Sequence, residues 1–289
     1  MPLDLVATVI IAGVLTGLVY GLMALGLSVI FGVVRVVNFA HGEMMTVAMY
    51  AATVLFAALR LDPFLCILPV AAAFFVFGYA LQAALVNPFI TRPEHSQFML
   101  LVAVAIILVN ALLMLFGPDA RNVQLDYQLE SFEFGRILVD KARLYAALAA
   151  LVTAGLLFLF FKFSLAGKAI RACADNHLGA LIVGLNVKHL YAMTFGIGAV
   201  CVAVAGCAMV LLVDVTPPLG PAYTLLAFII VIVGGLGSMG GALLGGILIG
   251  ISEALAGLLI EPSAKSMFSF GLLILVLLFR PQGLLGKRS

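Results

Sequence analysis

The sequence predicts an all-α protein, a polytopic transmembrane bundle of roughly eight to ten helices in which two segments are broken or re-entrant. Three observations predict it. The 289-residue chain is 65% hydrophobic and 10% charged, with a mean hydropathy of +1.27, whereas soluble domains are about half apolar and a quarter charged. A hydrophobic run from Leu5 to Leu59 is interrupted at 33–45, where Arg35, Asn38, His41 and Glu43 enter. A second interruption, Gly234-Gly-Leu-Gly-Ser-Met-Gly-Gly241, is built mostly of glycine.

The apolar runs follow in order at 5–32, 44–59, 63–86, 97–117, 143–162, 190–213, 223–236, 242–260 and 266–279. The two short ones, 44–59 and 223–236, adjoin the two interruptions. The whole of 1–289 reads as one transmembrane domain, because no hydrophilic stretch is long enough for a separate soluble unit. The longest polar stretch mixes charge with strand formers, and 118–141 is expected to be an external loop or small hairpin. The net charge of +2 comes without a basic run, so no nucleic-acid partner is indicated. Cys66, Cys173, Cys201 and Cys207 show neither metal-ligand nor CxxC spacing.

Orientation follows from lysine and arginine. If the 163–189 loop lies inside, the inner side collects Arg35, Arg92, Lys162, Lys168, Arg171, Lys188, Arg280, Lys287 and Arg288. The outer side collects Arg60, Arg121, Arg136, Lys141, Arg143 and Lys265. The bias puts the N-terminus outside and the C-terminus inside, with nine nominal crossings.

Segments 5–59 and 223–260 share a helix–break–helix pattern. They are either parallel repeats that mark a substrate route or two independent hairpins. Glycines at 13, 17 and 21, at 237, 241 and 245, and at 246 and 250 are spaced by four. Such stripes let helix backbones approach closely in lipid. Gly235 to Gly240 matches GxGxxG, but no strand precedes it, so a sharp bend fits better than dinucleotide binding.

Glu253 sits in the middle of an apolar run, where an ionised carboxylate costs about 2.5–3.5 kcal/mol on insertion scales. It faces the bundle interior or path, or it is a hydrogen-bonded packing residue. Asn110 suits a helix–helix hydrogen bond. Asn38, His41 and Glu43 could relay protons. The favoured reading is a capped turn, in which Asn and His satisfy backbone donors freed at a break and Glu43 opens the next helix. The 164–189 loop carries an amphipathic helix over 169–183, ended by Gly184, of a kind suited to a partner's groove. No Walker A sequence, HExxH or GxSxG occurs, so no catalytic residue is assigned.

Taken together, Asn38-Phe-Ala-His-Gly-Glu43, the loop from Gly167 through Arg171, Ala172 and Asp175 to Gly184-Leu-Asn186, the Gly234–Ser238 break and the Arg280-Pro-Gln-Gly-Leu-Leu-Gly286 tail resemble the branched-chain amino acid ABC importer permeases. The similarity is to the first of their two permease subunits and runs over nearly the whole chain. It implies a bacterial inner-membrane subunit that pairs with a second, related permease. Two ATPase subunits carrying ATP and magnesium would dock inside, and a periplasmic binding protein would deliver substrate outside. No cofactor is expected on this chain itself. The resemblance implies that Gly167, Arg171, Ala172, Asp175 and Gly184 couple the bundle to the ATPases. Path-lining candidates are Asn38, His41, Gly235, Ser238 and Glu253. Gly240 stands where the family often has proline, and 226–233 is unusually apolar, so the transported solute is left open among branched-chain amino acids, urea and short amides. The alternative class is an ion-coupled secondary transporter, which also uses broken helices.

Overall fold

The computed structural model describes residues 3–135, 137–260 and 265–286. Of the orientation markers above, Arg136, Lys287 and Arg288 lie outside them, as does the side chain of Lys265.

The chain is helical almost throughout. In order come α1 (Leu3–Val34), α2 (His41–Leu59), α3 (Pro63–Leu81), α4 (Glu94–Phe116), α5 (Lys141–Phe163), α6 (Leu165–Asp175), α7 (His177–Ile182), α8 (Val187–Met209), α9 (Gly220–Gly234), α10 (Met239–Leu259) and α11 (Lys265–Phe279). Among the described residues, eight helices are long and apolar enough to cross a membrane. The stretch Ser266–Phe279 is a shorter apolar helix and accounts for the ninth run in the sequence. An antiparallel hairpin, β1 (Ser131–Phe134) and β2 (Ile137–Asp140), pairs Ser131 with Asp140.

Local chemistry sets the helix ends. Asp62 accepts from Phe64 N and starts α3, Asp140 accepts from Ala142 N and Arg143 N and starts α5, and Asn186 accepts from His189 N and starts α8. Each side chain satisfies backbone donors that the first turn leaves unpaired.

Glycine then sets the packing. A Cβ on Gly17 would lie 2.7 Å from Gly246 O, and one on Gly13 would lie 2.8 Å from Gly250 O. So α1 and α10 run antiparallel with their backbones in contact. The α10 stripe divides between two neighbours: Gly246 and Gly250 face α1, while Gly241 and Gly245 face Gly234 and Ile230 of α9. At the centre stands α8, with 83% of its most apolar stretch buried, against 22% for α4. Its Gly198, Gly206 and Gly196 admit α1, α2 and α3 in turn. Side chains that fill the space between these helices include Leu22, Met45, Met49 and Phe195.

The two helix–break–helix segments interlock. The first helix of one lies on the second helix of the other, α1 on α10, and α2 lies on α9. Gly32, near the end of α1, meets Gly237 in the second break.

Candidate functional site

The first break does more than reverse the chain. α1 ends as Arg35 turns left-handed at φ 58, its N–H still bonded to Phe31 O. The chain then folds back along α1. His41 Nε2 lies 2.9 Å from Met23 O, eleven residues before the end of α1, or about 16 Å along its axis. A carbonyl only accepts, so Nε2 donates, and Nδ1 has no partner among the described residues. His41 therefore satisfies no backbone donor at the break, contrary to the expectation from sequence, and instead ties the start of α2 to the middle of α1. Asn38 caps the turn: its Oδ1 accepts from Ala40 N at 3.0 Å, and its Nδ2 donates to Met44 Sδ at 3.6 Å. Both Asn38 and His41 are fully buried. α2 therefore starts deep inside the bundle.

A second helix starts at the same place. Thr216 leads through the one-turn Pro217–Leu219 into α9, whose first residue, Gly220, lies flush against Gly42. A Cβ on Gly42 would overlap Gly220 O and Thr224 N. Gly42 N donates to Thr224 Oγ1 at 2.8 Å, and Thr224 Oγ1 donates to Glu43 Oε2 at 2.8 Å. One hydroxyl thus accepts from the first turn of α2 and donates to the carboxylate on that turn. Glu43 is 4% exposed. Its carboxyl group stands where the N-terminal ends of α2 and α9 converge, a place whose dipoles favour the ionised form while burial opposes it.

The other sequence-predicted path residues lie elsewhere. Gly235, at φ 104, is buried under the chain's tail. Leu284 N donates to Val233 O at 2.9 Å and Leu285 N donates to Gly234 O at 3.0 Å, so the tail satisfies carbonyls at the end of α9. Ser238 caps α10 by accepting from Gly241 N. Glu253 accepts from Ser269 Oγ of α11 at 2.9 Å. The five residues are therefore not one cluster. Asn38 and His41 sit at the crossing of α2 and α9, Gly235 and Ser238 form the bend before α10, and Glu253 ties α10 to α11.

A cavity of about 1350 Å³ opens beside the first break. Arg35, Phe39, Glu94, Phe98, Arg171, Asp175 and Ser238 line it. Phe39 and Phe98 form one wall, their rings edge-on with centroids 4.6 Å apart, and Phe228 packs against Phe39 at 5.0 Å.

The 164–189 loop forms two helices where the sequence suggests one over 169–183. Asn176 is extended and caps α7 through Gly179 N at 2.9 Å, which interrupts the helix. A competing side-chain bond to the backbone outweighs the amphipathic pattern there. Gly167 is required at the turn from α5, since a Cβ would lie 2.7 Å from Phe161 Cα. Arg171, Ala172, Asp175 and Gly184 are all exposed, and α7 bares Leu178, Leu181 and Ile182. Behind them Cys173 is buried, and burial raises its thiol pKa.

Thr224 and Gly220 escape sequence reasoning because they lie about 180 residues from their partners. Pro217-Pro218 marks a helix start, and that is the only local signal. The aromatic wall has no signature beyond its rings.

The permease component of branched-chain amino acid transport systems matches this sequence over residues 9–277. The chain belongs to this family. A permease protein of the high-affinity branched-chain amino acid transport system of Pseudomonas aeruginosa, BraD, is 31% identical over 96% of this chain and 95% of its own length. The LivH permeases of Salmonella typhimurium and Escherichia coli are each 30% identical over 95% of this chain and 94% of theirs. Among solved structures, PsaBC from Streptococcus pneumoniae in complex with Fab superposes with a TM-score of 0.50 at 13% identity, covering 96% of this permease and 92% of that chain. That likeness concerns the fold. With its apolar helices, this permease is a multi-pass membrane protein.

Proposed function

We propose that this permease is one membrane subunit of an ABC importer that carries branched-chain amino acids, or related small amino acid or amide solutes, inward across a bacterial inner membrane. The observation that carries this reading is the family match over 9–277. In this reading a second, related permease completes the route, two ATPase subunits supply ATP hydrolysis with magnesium, and a periplasmic binding protein delivers the solute. The N-terminus is periplasmic. The C-terminus and the α6–α7 loop are cytoplasmic, with the hairpin at 118–141 on the outer side.

The coupling segment is Gly167, Arg171, Ala172, Asp175 and Gly184. The exposed apolar face of α7 supports it, because burial of such side chains in a partner's groove is favourable. Asn38 and His41 stand beside the route, where two helices begin inside the bundle. Irregular backbone is tolerated at such depth only within protein or beside water.

Reconstitution tests the reading. The four-subunit complex in proteoliposomes, with the binding protein outside and ATP inside, should take up radiolabelled leucine. Uptake should stop when the P-loop lysine of the ATPases is replaced, and should survive an uncoupler. Uptake by the lone permease that an uncoupler abolishes would instead establish ion coupling.

A further inference from the structure

We infer that the cavity beside the first break is a cytoplasmic-side binding site for a zwitterionic solute with an apolar side chain. The inference rests on the importer reading and names a second place where its solute binds.

Two segments face this cavity with the same spacing. Arg35 and Phe39 lie four residues apart in the break, and Glu94 and Phe98 lie four apart at the start of α4. The spacing in α4 puts Glu94 and Phe98 on one helix face. The two rings touch at 4.6 Å. A cation and an anion therefore flank a shared aromatic wall. Both Arg35 and Glu94 are exposed, and neither is in an ion pair among the described residues, so both are open to a solute. An α-carboxylate would meet the guanidinium in charge-assisted bonds, the α-ammonium would meet the Glu94 carboxylate, and an aliphatic side chain would lie on the rings.

A further polar group points the same way. Ser28 lines the cavity, is fully buried, and its hydroxyl has no hydrogen-bond partner among the described residues. Buried hydroxyls are normally paired. In a helix a serine usually bonds the carbonyl four residues back, but this one does not. Ser28 lies seven residues from Arg35, or about 10 Å along α1. A cavity of 1350 Å³ is ample for a small amino acid, and the Ser28 hydroxyl becomes a partner once the side chains that cover it give way.

The function that follows is product sensing or staged release on the inner side. The solute would leave the α2–α9 crossing past Phe39 and pause against Arg35 and Glu94. The coupling helix forms part of the same wall through Arg171 and Asp175, so occupancy would be felt where the ATPases dock.

The test uses the detergent-solubilised four-subunit complex without the binding protein. Tritiated leucine binding is measured by equilibrium dialysis, with leucine amide and 4-methylpentanoate as competitors lacking one charge each. The expected result is saturable binding with each competitor about tenfold or more weaker than leucine, the size of one lost hydrogen bond to a charged group. Arg35→Gln and Glu94→Gln should each weaken binding by a similar factor. Saturable binding with both competitors equal to leucine would overturn the inference, and this arm needs no variant to fold. No saturable binding by a complex that transports leucine with ATP would overturn it and leave the importer reading intact. A complex that neither binds nor transports leucine would overturn the inference together with the assignment of leucine-type solutes to the importer.

Discussion

Replacement of Thr224 by valine removes one hydroxyl and little volume. The structure gives that hydroxyl two bonds, from Gly42 N at 2.8 Å and to Glu43 Oε2 at 2.8 Å. Valine leaves a buried N–H and a nearly buried carboxylate without this partner. Hydrogen bonds between membrane helices average only about 0.6 kcal/mol in double-mutant cycles, so two of them set a floor near 1 kcal/mol. A bond to a charged group contributes about 1.5–3 kcal/mol, which sets a ceiling near 4 kcal/mol. Between these bounds, Thr224→Val should destabilise the purified permease by about 1–3 kcal/mol. Unfolding in mixed micelles, titrated with sodium dodecyl sulfate, reads this directly. Thr224→Ser keeps the hydroxyl and should retain most of the stability. In the cycle with Glu43→Gln, the coupling should be about 1 kcal/mol or more. Equal stabilities for the valine and serine variants, or a coupling near zero, would refute the claim that this hydroxyl joins α2 to α9.

Three further outcomes are expected. Gly42→Ala puts a methyl group onto Gly220 O and Thr224 N, both backbone atoms that cannot rotate away, so the variant should be destabilised by about 1–3 kcal/mol or more, read in the same titration; a wild-type midpoint would refute the close approach. Arg171→Glu or Ala172→Trp, both on the exposed face of α6, should lower solute-stimulated ATPase activity severalfold with permease abundance unchanged, since a surface change rarely exceeds about 0.5 kcal/mol of stability. Burial raises the Cys173 thiol pKa, so less thiolate is present at a given pH; its maleimide labelling should be slow near neutrality and still climbing above pH 9, where an ordinary thiol, with a pKa of about 8.5, levels off.

The legible parts and the hidden ones differ in a physical way. The capped turn was legible because Asn38 and the residues it serves are neighbours: the Oδ1 bond to Ala40 N is made within two residues. That α1 and α10 would each pack closely on a neighbour was legible because glycine spaced by four lets another backbone approach in lipid. The division of the α10 stripe between α1 and α9 was not, because spacing fixes a face and not which helix covers it. Nor was the split of 169–183 at Asn176 foreseen, where a side-chain cap competes with the amphipathic pattern.

The interruption at 33–45 shows where the boundary falls. By itself, the sequence determined that a polar, non-helical segment lies within an apolar bundle, because composition fixes the solvent and runs of about 20 apolar residues fix the crossings. Only the tertiary structure decided what that segment meets. It turns back about 16 Å along α1 and brings Gly42 and Glu43 to Thr224, on a helix that begins inside the bundle. Hydropathy is a local property of the chain, whereas a hydrogen bond between residues 43 and 224 exists only once eight packed helices have set their depths.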